Sequence, residues 1–209
     1  MLLLEENHSG LPGCAVRKGG RSMPGIIFVS GACGSGKTTF ADAYAKHLVR
    51  ETGRTCYVIH GDDFHRGFRE PEEKGGFFVG GQASDRVLWE DILRFNWDCI
   101  LATADRALRQ NLDVVVDYVI EDELPRVREL AEKHHAPLYY IVLTAGAEEL
   151  VRRIRNRGDT DLTERALFLK NKLETMPENQ GHLYDNTGRT PEDMIREIVP
   201  EKYLVEENR

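Results

Sequence analysis

The stretch Gly31-Ala32-Cys33-Gly34-Ser35-Gly36-Lys37-Thr38 constrains this chain more than any other, because of what stands on either side of it. Before it lies Ile26-Ile27-Phe28-Val29, a continuous apolar run of the kind found in a strand covered on both faces. After it, residues 37–50 carry apolar side chains at helical spacing. A glycine-rich turn from a buried strand into a helix points successive backbone amides inward, at the end of the helix that bears partial positive charge. The spacing GxxxxGK[ST] in that setting suits a polyphosphate. Gly31 makes the tight turn, and Gly34, Ser35 and Gly36 offer amides. Lys37 reaches the β- and γ-phosphates, the Thr38 hydroxyl ligates Mg²⁺, and Thr39 adds a donor near the α-phosphate. Cys33 reads as a small spacer whose alkylation is steric and blocked by nucleotide.

Beyond residue 25, strand-like runs alternate with amphipathic stretches, the pattern of a parallel sheet with crossover helices. The expected strands are Gly25–Ser30, Thr55–His60, Asp113–Asp117 and Leu138–Leu143, with a short last strand near Leu183. Helices are expected near residues 37–50, 85–109, 123–134, 147–156, 163–175 and 191–199, the last capped by Thr190 with Pro191 in its first position. The second helix carries Leu88, Ile92, Phe95 and Cys99 on one stripe and Leu93, Trp97, Leu101, Ala104 and Leu108 on the next, and Trp89 and Trp97 read as packing residues. The fold class is therefore α/β, with about five parallel strands.

A chain of 209 residues, 41% hydrophobic and 30% charged, suits one ordinary domain and has too much polar content for a membrane bundle. No apolar run approaches the roughly 20 residues that span a bilayer. Residues 1–24, rich in Gly, Pro and charge, read as a flexible leader; residues 1–22 are expected to be dispensable, with Met23 as an alternative start. The domain is expected over 25–200, followed by a tail at 201–209. The four cysteines show no metal or disulfide spacing, and Glu5 and Glu6 interrupt the opening leucines, so a cytoplasmic protein is expected. The net charge of −7 argues against broad nucleic-acid binding.

Two acids, Asp62 and Asp63, follow the second strand. Ligands of an open parallel sheet gather at the carboxyl ends of its strands, so both acids share an edge with the glycine loop. An acid there can take the proton of an attacking hydroxyl, and Asp62 is the expected base. The run Leu112-Asp113-Val114-Val115-Val116-Asp117 ends in an acid at the same edge, placed to hold the metal through water.

Together, residues 31–39 and the run Gly61-Asp62-Asp63-Phe64-His65-Arg66 resemble the P-loop kinases that phosphorylate hydroxyls of small metabolites. The second segment is similar to the corresponding stretch of phosphoribulokinase and to the kinase domain of phage polynucleotide kinase, where the first acid, here Asp62, aligns with the base. The layout is also similar to chloramphenicol phosphotransferase, which would favour Asp63, and to the tunicamycin-resistance protein of bacilli. The resemblance implies a P-loop NTPase fold, ATP with Mg²⁺ as donor and a small-molecule hydroxyl as acceptor. It further implies a helical lid over about 152–175, with Arg153 and Arg157 closing on the phosphoryl group and Arg152 in reserve, and Asn186 and Thr187 near the adenine. Asp63, His65 and Arg66 are candidates for the acceptor side. So is the rest of the long segment 64–84, with Arg69 and its glycine steps. Two competitors stand beside this reading: a polynucleotide 5′-hydroxyl kinase, and a slow nucleotide-hydrolysing protein with no acceptor. A guanine-reading NKxD motif is lacking, Asn171-Lys172-Leu173-Glu174 ending in Glu.

Overall fold

Five parallel strands, β1 (Ile26–Gly31), β2 (Cys56–His60), β3 (Asp113–Asp117), β4 (Leu138–Thr144) and β5 (Leu183–Asp185), form one sheet in the order β2-β3-β1-β4-β5 in the computed structural model, which describes residues 23–68 and 88–206. Every residue of β1 and β3 is buried, which is why their stretches Ile26–Val29 and Val114–Val116 read as unbroken apolar runs. Side chains alternate along β1. Ile26 and Phe28 enter one core layer with Val114, Val116, Tyr140 and Val142, and Ile27 and Val29 enter the other with Val115, Ile141 and Leu143.

Helices cover both faces. The first layer is closed by α3 (Trp89–Arg109) and α4 (Leu124–Lys133), through Trp97, Ile100, Ala104, Val127 and Leu130. The second is closed by α1 (Lys37–Thr52) and α7 (Pro191–Glu197), through Phe40, Ala41, Tyr44 and Met194. Around Ala32, α5 (Ala147–Arg157) and α6 (Thr163–Thr175) contribute Leu150 and Leu169. Among the described residues, no helix is long and apolar enough to cross a membrane.

Element boundaries fall within a few residues of those expected, with three informative differences. The short helix α2 (Asp62–His65) was not among the expected helices. Leu88, expected to begin the buried stripe of the helix observed as α3, is extended at φ −71° and ψ 148° and is 62% exposed. Phe95, expected on the same stripe, is 45% exposed, while Asn96 beside it is fully buried. The buried face of α3 thus runs through Ile92, Asn96, Ile100 and Ala107, one position from the expected stripe, because a polar residue with buried partners occupies its centre. The expected helix start at Asp85 lies outside the described residues. At the far end, residues 200–206 fold back on the sheet, where Val205 N–H donates to Leu138 O at 2.8 Å. Thr190 caps α7 reciprocally with Asp193.

Gly61 joins β2 to α2 in the closest quarters of the fold. A Cβ there would lie 2.3 Å from Tyr118 Cδ2 and 2.8 Å from Ile100 Cδ1, both in the core. Gly61→Ala is expected to lower Tm by roughly 3 °C or more, following an overpacking cost of about 1–3 kcal/mol. Gly181→Ala, with nothing within 4 Å of the added atom, serves as the control and should leave Tm unchanged. Thermal melting of the two variants compares them directly; equal Tm values would show that Tyr118 does not pack on the turn.

Candidate active site

The glycine loop owes its course to contacts that only glycine tolerates. Gly31, at φ +142°, ends β1 where an added Cβ would lie 2.3 Å from Leu143 O, and Gly34, at φ +77°, faces Ile154 Cγ1 at 2.9 Å. Gly36, also left-handed, stands as the N-cap of α1 and offers no side-chain cap, and no acid occupies the first turn. The leading amides of α1 and its positive end are thus left for an anion. Lys37 Nζ donates to Ala32 O at 3.1 Å, spanning the loop, and Ser35 Oγ, fully buried, has no hydrogen-bond partner among the described residues.

From the first turn of α1, Thr38 Oγ1 donates to Asp117 Oδ2 at 2.7 Å. The other oxygen of Asp117 bonds His60 Nδ1, and His60 Nε2 stands 3.3 Å from Asp42 Oδ1, again on α1. Burial alone would lower the pKa of His60, but its bond to Asp117 and the charges of Asp117, Asp42 and Asp63 raise it. Hydroxyl and carboxylate oxygens beside an open helix N-terminus are the hard donors that Mg²⁺ takes, and the pair Thr38 and Asp117 fits it. Among the described residues, no cluster of three or more His, Cys, Asp or Glu forms a metal cage, so phosphate oxygens would complete the shell.

The acids after β2 are hung from the same strand. Gly61 N–H donates to Asp117 O at 3.0 Å, so Asp62 begins one residue from the attachment to β3. Both acids are exposed, but they differ: Asp63 pairs with Arg66 at 2.7 Å, whereas the carboxylate of Asp62 has no ion-pair or hydrogen-bond partner among the described residues. His65 Nδ1 lies 2.9 Å from Asn96 Nδ2, which also donates to Tyr118 OH at 2.9 Å. An amide nitrogen donates, so His65 Nδ1 is the acceptor of this bond; burial lowers the His65 pKa and pushes Tyr118 up to about 12. Of the expected acceptor region, residues 64–68 are described; Arg69 and the glycine steps lie outside the described residues.

Arg153 is placed differently from a residue that waits to close over the phosphates. Its Nη1 and Nη2 donate to Asn186 Oδ1 and O at 3.0 and 3.1 Å, and its Nε donates to Glu149 at 2.8 Å. Asn186, buried, donates in turn to Ser35 O at 2.6 Å, so α5, the glycine loop and the turn after β5 are cross-linked. Arg152 and Arg153 hold the Glu149 carboxyl down to about 2. Beside this cross-link opens a cavity of about 400 Å³ lined by Thr39, Phe40, Arg153, Asn186 and Pro191, of a size for a nucleoside. Thr187 Oγ1 accepts from Gly146 N–H at 2.8 Å and stays outside the cavity lining. Arg157 pairs with Asp159 beyond the end of α5 and makes no hydrogen bond or ion pair with the loop among the described residues.

The sequence reading missed His60, Asp42, Asn96 and Glu149. His60 alone carried a signal, as the last residue of a strand that ends at the ligand edge.

The family model of the AAA domain matches residues 27–176, from β1 to just past α6. Guanylate kinase of Caldanaerobacter subterraneus subsp. tengcongensis is 24% identical over 192 residues, covering 88% of this chain and 91% of that protein. Among solved structures, Mycobacterium tuberculosis APS kinase in complex with AMPPNP and APS superposes with a TM-score of 0.58 at 16% identity, covering 84% of this chain and 95% of that one. The tunicamycin resistance protein of Deinococcus radiodurans gives 0.54 at 18% identity, covering 83% and 92%. These likenesses show a shared P-loop fold.

Because Arg153 braces the cavity and Arg157 does not, their truncations separate. Arg153→Ala should weaken nucleotide binding roughly tenfold, about 1.4 kcal/mol, and Arg157→Ala should leave it within about twofold. Calorimetric titration with ATP measures both, and equal losses would remove Arg153 from the nucleotide site.

Proposed function

The chain belongs to the AAA domain family, and from that premise we propose that it is a kinase that transfers the γ-phosphate of ATP to a hydroxyl of a small molecule. The observation that carries this reading is the position of Asp62: exposed, unpartnered among the described residues, and one residue beyond the hydrogen bond that ties Gly61 to Asp117. A carboxylate so placed can take the proton of an attacking hydroxyl beside the phosphates. Asp63, already paired with Arg66, is less suited to the task.

In this reading the loop amides from Gly34 to Thr38 bind the β- and γ-phosphates, and Lys37 leaves Ala32 O to neutralise their charge. Thr38 and Asp117 would hold Mg²⁺, which when bound neutralises charge on the phosphate oxygens. Arg153 and Asn186 orient the nucleoside in the neighbouring cavity, and residues 64–68 begin the acceptor wall. An adenine donor agrees with the lack of a guanine-reading motif.

Transfer of labelled γ-phosphate to a pool of hydroxylated metabolites tests the proposal. Label in a small molecule supports it; label on a 5′-hydroxyl oligonucleotide favours a polynucleotide kinase, and label found only as free phosphate favours a hydrolase. With the acceptor known, Asp62→Asn should lower kcat by about 10²–10⁴ with little change in ATP binding, while Asp63→Asn stays within a few-fold. Full transfer by Asp62→Asn would refute the base assignment.

A further inference from the structure

Four side chains from three elements close a ring at the edge of the sheet. Thr38 and Asp42 lie one helical turn apart on the same face of α1. Thr38 bonds Asp117 at the end of β3, Asp117 bonds His60 at the end of β2, and His60 returns to Asp42. His60 and Asp117 are direct partners in the parallel register of these two strands. Both imidazole nitrogens therefore face carboxylates, one on either side of the ring.

Asp117 is 5% exposed, and a buried carboxylate needs partners for both oxygens. Thr38 occupies Oδ2 and His60 occupies Oδ1, so the two oxygens are not equivalent. Without His60 the carboxylate could turn about its Cβ–Cγ bond and present either oxygen, or both, to a cation. Mg²⁺ tolerates little departure from octahedral geometry, so such freedom would weaken its hold.

We propose that His60 is a positioning residue for the metal–nucleotide site: clamped between Asp42 and Asp117, it fixes the Asp117 carboxylate so that only Oδ2 is presented beside Thr38. This role rests on the kinase reading above and assigns to that site a residue that contacts neither phosphate nor acceptor. Groups that orient a metal ligand commonly carry a 10- to 100-fold effect on metal affinity. The effect is specific in kind. Loss of His60 should weaken nucleotide binding in the presence of Mg²⁺ and leave binding in EDTA unchanged, since the loop amides and the cavity do not depend on the ring.

The experiment titrates the β,γ-imido analogue of ATP into the full chain, once with Mg²⁺ and once with EDTA, and takes the ratio of the dissociation constant in EDTA to that in Mg²⁺. His60→Ala is expected to reduce that ratio at least tenfold. His60→Asn, whose amide can still donate to Asp117 Oδ1, is expected to restore most of it and guards against a misfolded alanine variant. A purely structural role would weaken both titrations together and leave the ratio unchanged, which would overturn the proposal. So would an undiminished ratio in His60→Ala or a failure of His60→Asn to restore it. If the wild-type protein itself shows no gain from Mg²⁺, the positioning role and the kinase reading both fall; a wild-type gain that His60→Ala retains overturns the positioning role alone.

Discussion

The hydrogen bond from Thr38 to Asp117 joins the first turn of α1 to the end of β3, and the geometry of the site follows from it. Thr38 stands where the glycine loop delivers the helix, and Asp117 stands beside β1 because β1 and β3 pair in register, with Val29 opposite Asp117. Gly61 hangs α2 from the Asp117 carbonyl, His60 takes the second carboxylate oxygen, and Arg153 with Asn186 grips the Ser35 carbonyl three residues before Thr38.

The two ends of the site are built differently. On the side proposed for the nucleoside the groups are tied to one another: Arg153 makes bonds to Glu149, Asn186 and the loop, and Asn186 is buried beneath them. On the side proposed for the acceptor Asp62 is exposed, and α2 is a single turn supported by the packing of Gly61 under Tyr118 and by the Asn96 bridge. A donor common to many enzymes can be met by a fixed socket, whereas acceptor chemistry varies on one fold through such loosely built edges.

Much of the fold was legible in the sequence because it rests on local or periodic signals. The apolar runs within β1 and β3, the loop spacing, and the Thr190 and Pro191 start of α7 each announce themselves within a few residues. What stayed hidden depends on partners far along the chain. Asn96 reads as a break in an apolar stripe until Tyr118 and His65 are seen to need its amide. The meeting of His60 with Asp117 requires a strand register that no local pattern specifies. Arg153, four residues from Arg157 on one helix, shares its letters and its spacing, yet only Arg153 faces Asn186, because the turn after β5 returns to that side of α5. Candidate site residues were therefore easiest to find where chemistry and backbone form coincide, as in the glycine loop, and hardest where a side chain acts through another.

The central claim is that the glycine loop and the pair Thr38 and Asp117 form one socket for a magnesium-bound triphosphate. A crystal structure with Mg²⁺ and the β,γ-imido analogue of ATP tests it most directly. The account predicts β- and γ-phosphates on the amides of residues 34–38, Lys37 Nζ moved from Ala32 O onto them, the metal between Thr38 and Asp117, and the base beside Asn186. Nucleotide bound in another cavity, or phosphates on the loop with Lys37 still on Ala32 O, would contradict it.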